Sequence, residues 1–176
     1  QDASFTFKVF ALADTAVYLH DSVLSYRQDN EGSSVNSPNK VHCVNDEYAE
    51  IHRWIVEDYA ETHSSRDVAK LLRFANIIKY DSYMWSYIRL NPKFYAEFLD
   101  RMAQEFHGAL EAHEFELTDL KPWKRANLKA IVNDPQKWLT ESENFAGAGA
   151  MGRAKHYARV GGPGVVVAFV LDAIKK

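Results

Sequence analysis

The string Gly147-Ala148-Gly149-Ala150-Met151-Gly152 sets three glycines at the spacing G-x-G-x-x-G, and Arg153, Lys155, His156 and Arg159 follow with no acid among them. Backbone N–H groups bared by small residues, with cations beside them, are the chemistry of anion binding. Residues 144–164 hold six of the chain's eight glycines. Gly147, Gly149, Gly152, Arg153 and Arg159 are therefore the candidate anion-binding residues.

The eight residues GAGAMGRA resemble the phosphate loop of Rossmann dehydrogenases. That resemblance implies a buried parallel strand before the first glycine, a helix after it and an acid about 20 residues further on. The preceding residues, Thr140-Glu141-Ser142-Glu143-Asn144-Phe145, do not make such a strand. Asp172 stands at a suitable distance, but 24 residues after Gly152 leave a βαβ unit no room to close. No cofactor is expected. Each helical glycine costs about 1 kcal/mol against alanine, so this stretch needs contacts to order it. It is expected to be a docking element.

Histidine and glutamate recur two apart at Glu50-x-His52, Glu61-x-His63, Glu105-x-His107 and Glu111-x-His113. On a helix, residues two apart point about 200° from one another, so none of these pairs converges on one metal. His107 and Glu111 do share a face. No metal site and no catalytic residues are expected. Cys43 is the sole cysteine, which excludes an internal disulfide; a helix start can activate a thiol, but the acids that follow oppose a thiolate, so an incidental thiol is expected.

Aromatic residues are dense between Phe74 and Phe106, more than one narrow stripe uses. Tyr83, Trp85, Tyr87 and Phe94 are the candidate partner or ligand surface.

The elements that must position these groups read as helices. Apolar residues recur every three or four positions over 4–27 (Val9, Leu12, Ala16, Leu19), 44–62 (Val44, Tyr48, Ile51, Ile55) and, after a cap at Ser64 or Ser65, through Ile78. Asp81 and Ser82 are expected to cap a separate short helix through Ile88. Asn91-Pro92 starts a helix over 92–113, with Glu97 and Arg101 paired on its outer face. Pro122 and Asp134-Pro135 start two shorter ones. Residues 165–174 fit strand or helix, with Pro163 and Lys175-Lys176 favouring helix. Polar residues 28–40 read as a surface loop.

The expected fold is all-α, a single domain of seven to nine helices with a Gly/Ala-rich basic C-terminal segment. Residues 1–143 form the helical domain and residues 144–176 the docking segment. The chain's 176 residues are 47% apolar, which suffices for a core, and the net charge is −3. Residues 144–176 are net +4 and the rest net −7. This fits either a basic tail lying on an acidic body or a tail meeting an acidic partner.

An acidic body argues against nucleic acid. No apolar run reaches the roughly 20 residues of a membrane span, although peripheral contact through residues 153–176 fits the composition. A chain starting at Gln1 is compatible with a removed leader, mitochondrial or secretory. The composition thus points to a non-catalytic protein-interaction subunit of a larger assembly. The alternative is a ligand- or anion-binding enzyme with an aromatic-lined pocket among residues 74–106.

Overall fold

Side-chain caps set three of the helix starts. Ser64 Oγ accepts from Asp67 N–H, Asn91 Oδ1 from Lys93 N–H and Asp134 Oδ1 from Lys137 N–H. Proline follows the last two caps, where its missing N–H costs nothing. The computed structural model describes residues 2–17, 41–142, 145 and 148–174. Among them run eight α-helices: α1 (Asp2–Leu12), α2 (Cys43–Val56), α3 (Ser65–Tyr87), α4 (Tyr95–Glu111), α5 (Pro122–Asn133), α6 (Pro135–Glu141), α7 (Ala150–Gly161) and α8 (Pro163–Ile174). Short 3-10 turns at Tyr59–Glu61, Pro92–Phe94 and Leu117–Asp119 join some of them, and no strand occurs among the described residues.

α4 is the central helix. Its stripe of Phe98, Leu99, Met102 and Phe106 is fully buried, against Tyr83 and Tyr87 of α3 and Leu128 and Ile131 of α5. Each such side chain contributes about 1.5–3 kcal/mol of burial. Ring edges meet ring faces throughout: Tyr83 with Phe106 at 5.9 Å, Phe106 with Phe115 at 5.8 Å, Tyr87 with Trp138 at 5.5 Å.

Several expectations are corrected. The break at Asp81-Ser82 does not exist: α3 runs unbroken through Tyr87. The polar groups that suggested a cap are used in tertiary contacts instead, Asp81 pairing with Lys124 and the Ser82 hydroxyl bonding the Tyr48 hydroxyl at 2.8 Å. Glu97 does not pair with Arg101. It meets His42 at 2.5 Å, while Arg101 reaches Asp46 and Glu105, each at 2.9 Å. In α1 the buried residues are Ser4 and Phe7, and Val9 and Leu12 are exposed. That helix is apolar on most sides, so its periodicity selects no face. The expected 4–27 helix ends at Leu12, residues 13–17 being non-helical; its part beyond residue 17 and the expected 28–40 loop lie outside the described residues.

Of the two readings of the uneven charge, the tail does lie on the body, but on a helix that is itself basic. α7 and α8 pack on each other and both pack on α5, which itself carries Lys124, Arg125 and Lys129. The acid-rich segment of α2 is elsewhere. Residues 121–176 together hold ten Lys/Arg and four Asp/Glu, whereas residues 1–120 hold eleven and twenty.

Candidate functional site

Two places gather polar chemistry. The first is a cleft of about 410 Å³ where α2, α3 and the end of α4 meet. Asn76, Lys79 and Tyr83 fall at helical spacing on one face of α3. They meet Glu105 of α4, Glu114 just after it and His52 of α2. Lys79 Nζ lies 2.7 Å from Glu105, Arg101 Nε donates to the same carboxylate at 2.9 Å, and the Tyr83 hydroxyl donates to it as well. Glu114 accepts from His52 at 2.6 Å and from Asn76 Nδ2 at 3.2 Å.

Burial works to raise both carboxyls. That is the largest single influence on each, but for Glu105 Lys79, Tyr83 and Arg101 together outweigh it, and for Glu114 His52, Asn76 and Lys79 together do, so each sits below the usual carboxylate range. The Glu114 bond in turn raises His52. Among the described residues that line the cleft there is no serine, threonine or cysteine, and its hydroxyls are those of Tyr48 and the adjoining Tyr83. The groups can orient a polar ligand or move a proton. No local pattern marks the His52–Glu114 pair, whose members stand 62 residues apart.

The second place is the α7–α8 hairpin and its seat. Asn127 of α5 is fully buried, and its Oδ1 accepts from Trp138 Nε1 at 2.9 Å and from His156 Nε2 at 2.7 Å. Because that oxygen only accepts, Nε2 carries the imidazole proton, and His156 Nδ1 takes the Ser142 hydroxyl at 3.1 Å. Asn127 Nδ2 donates to the Tyr80 hydroxyl at 3.0 Å, which reaches α3. Rings of Trp138 and Phe145 close over the imidazole at 5.5 and 4.7 Å. Burial, with Arg159 adding repulsion, pushes His156 down to about 4. The Arg159 guanidinium donates to the Glu141 carbonyl.

At the hairpin's turn Gly162 takes φ 77°, the left-handed region glycine favours. A Cβ on Gly161 would stand 2.8 Å from Ala126 Cβ, so the glycine lets α7 reach α5. α8 bears one charged residue among its described positions, Asp172, which pairs with Lys121 at 2.5 Å. Val165, Val166 and Phe169 pack inward, yet Val167 (58% exposed), Leu171 (54%) and Ile174 (76%) face outward. Arg153, Lys155 and Arg159 are exposed on α7.

The expected anion-site residues are not brought together. Gly149 is the N-cap of α7, Gly152 and Arg153 follow in its first turn, and Arg159 lies in its last turn, about 15 Å along the axis from Gly149 at 1.5 Å per residue. Gly147 lies outside the described residues. The four expected aromatics also separate. Tyr83 and Tyr87 are core residues, Trp85 is exposed with the Arg89 guanidinium 3.6 Å from its ring centre, and half-buried Phe94 carries Lys93 at 4.7 Å. Two residues along a helix reverse direction, which puts Trp85 opposite Tyr83 and Tyr87.

An apolar pocket of about 780 Å³ does lie between α1 and α3, walled by Phe7, Phe10, Leu71, Phe74 and Ile78. Among the described residues no three His, Cys, Asp or Glu gather as metal ligands, and no helix is long and apolar enough to cross a membrane. Comparison with known proteins finds no matching family model, no matching curated protein and no matching solved structure.

Proposed function

We propose that the protein is a non-catalytic interaction module that docks an acidic protein partner through the outer face of the α7–α8 hairpin, as a subunit of a larger assembly. The observation that carries this is the outward row Val167, Val170, Leu171 and Ile174 on a helix that is apolar on nearly all sides. Surface helices of monomers keep a polar outer face, and a helix without one is ordinarily covered. The charge around it selects the partner. Arg153, Lys155 and Arg159 are exposed on α7, the helix that packs beside α8, and this third of the chain is net +6. An apolar groove rimmed by carboxylates is the complementary surface.

The test is site-specific photo-crosslinking in the native host, with the probe at Leu171 or, as a control, at Glu57 on the acidic side. The expected outcome is an adduct from position 171 with one discrete acidic protein, lost on Val170→Asp, which leaves the seat of the hairpin intact. Equal labelling from both positions would overturn the proposal. Transfer to anionic vesicles in place of a protein adduct would overturn it in favour of peripheral membrane attachment.

A second reading is a small polar ligand held in the α2–α3–α4 cleft, favoured by the convergence of Lys79, Glu105, Glu114 and His52 on one cavity. Thermal shift against amino acids and phosphorylated metabolites tests it. A shift abolished by Lys79→Met favours the cleft, and none across the panel removes it.

A further inference from the structure

Among the described residues, His156 is the one imidazole in the buried network that seats the hairpin, and burial among uncharged partners disfavours its protonation. From α5 it meets the neutral Asn127, from α6 the Trp138 ring, and beyond them Ser142 and Phe145. The charged and titratable groups nearest it are Arg159 and Tyr157 on its own helix, Tyr80 of α3 through Asn127, and Glu141. The Glu141 carbonyl is taken by Arg159, and its carboxylate faces Lys137 at 4.0 Å. Asp81, whose charge is felt at Tyr80 and Tyr157, is held by Lys124 at 2.6 Å. Among the described residues, none of the hydrogen-bonding partners of His156 is a carboxylate, so none of them offers an imidazolium a counter-ion in contact.

We propose that His156 is an acid-sensitive latch: neutral, it ties α7–α8 to α5 and α6 through Asn127 and Ser142, and its protonation releases the hairpin while α2–α4 stay folded, baring the inner face of Val165, Val166 and Phe169. The proposal rests on the hairpin's being the docking element for its consequence, which is a larger apolar surface offered to a partner in an acidic compartment. The release itself depends on no partner.

The sign follows from linkage. The imidazole resists protonation when docked, with a value of about 4 against 6.5 when free, so the free hairpin binds the extra proton. Docking is at full strength above about pH 6.5 and weakens as the pH falls to about 4, by a ratio on the order of 100-fold at pH 4.5. The rest of the molecule responds oppositely in part of that range. His52 is raised by Glu114, so the tie between α2 and the end of α4 is not weakened by protonating the imidazole.

Hydrogen exchange of the full chain, read by mass spectrometry from about pH 7 to 4.5 and corrected for intrinsic rates, tests the latch. Protection in residues 150–174 should fall at least about ten-fold while residues 95–111 keep theirs. His156→Gln, which cannot take up the proton, should hold the protection of residues 150–174 level. Uniform protection, simultaneous loss in both regions, or the same pH response in His156→Gln would overturn the proposal. Should that variant fail to fold, imidazole NMR of the unaltered protein decides: His156 must stay the neutral Nε2–H tautomer to below pH 5, and titration near 6.5 with the hairpin docked sinks the idea. Loss of the partner crosslink with the latch behaviour intact would instead fault the docking assignment.

Discussion

Asn127 Oδ1 accepts from Trp138 Nε1 at 2.9 Å and from His156 Nε2 at 2.7 Å, so one amide oxygen holds α5, α6 and α7 together. Replacing it with an apolar side chain of similar shape strands two buried donors. Asn127→Leu should cost about 2–6 kcal/mol, from a penalty of about 1–3 kcal/mol for each of the two unsatisfied buried groups. Urea denaturation followed by tryptophan fluorescence measures it. A change below about 0.5 kcal/mol, the range of ordinary surface substitutions, would mean that the amide is dispensable.

The second prediction concerns Gly161. Its Cα approaches α5 so closely that a Cβ would stand 2.8 Å from Ala126 Cβ and 2.6 Å from Val165 Cγ2. Helix propensity alone says Gly161→Ala stabilises by about 1 kcal/mol. Overpacking against a backbone-anchored methyl says the reverse, by about 1–3 kcal/mol, and we expect it to win. Ala126→Gly made together with Gly161→Ala should recover part of the loss. Thermal melts of the two single variants and the double one give the coupling, and a stabilised Gly161→Ala would refute the close approach.

The third is a pH dependence in the cleft. His52 is raised by its bond to Glu114, so its contribution is full below about 6.5 and fades as the pH climbs through its folded value. Glu114 is lowered, so its contribution is present above about 4.5 and fades as the pH falls. The pair therefore stabilises most between those limits. His52 is 47% exposed, and solvent screening keeps the gain under about 1 kcal/mol. His52→Gln should destabilise most near pH 5.5 and least near pH 8. A penalty that grows with pH would reverse the assignment.

The fourth prediction tests the core. Leu128 is wholly buried on α5, between the α4 stripe and the hairpin. Leu128→Ala should cost about 2–5 kcal/mol in equilibrium unfolding, the range for a cavity of that size. A loss under about 1 kcal/mol would show that the core collapses to fill the gap.

Much of the fold was legible wherever the signal was local. Asn91-Pro92 and Asp134-Pro135 announce helix starts within three residues of the bonds they make. The α4 stripe is readable because one face is apolar and the other is not. Legibility fails where a local signal is spent on a distant partner. Asp81 and Ser82 look like caps, but they serve Lys124 and Tyr48. α1 is apolar on most sides, so no periodicity says that Phe7 and not Val9 turns inward. The candidate sites were the least legible part. His156 was counted among the cations of a glycine-rich string, yet its partners lie 14 and 29 residues away and make it a buried neutral group. The cleft groups come from three helices, and pattern within any one of them does not reveal the others.

The uneven charge has a kinetic consequence. Among the described residues, those from 121 to 174 hold eight Lys/Arg and three Asp/Glu while those up to 120 hold nine and seventeen, so positive charge gathers in the part of the fold that bears the apolar row of α8. A negatively charged surface exerts a torque on such a body before contact and turns α7 and α8 toward itself. Encounters then arrive already oriented, and added salt slows them by shortening the distance over which that torque acts, about 10 Å at 0.1 M ionic strength.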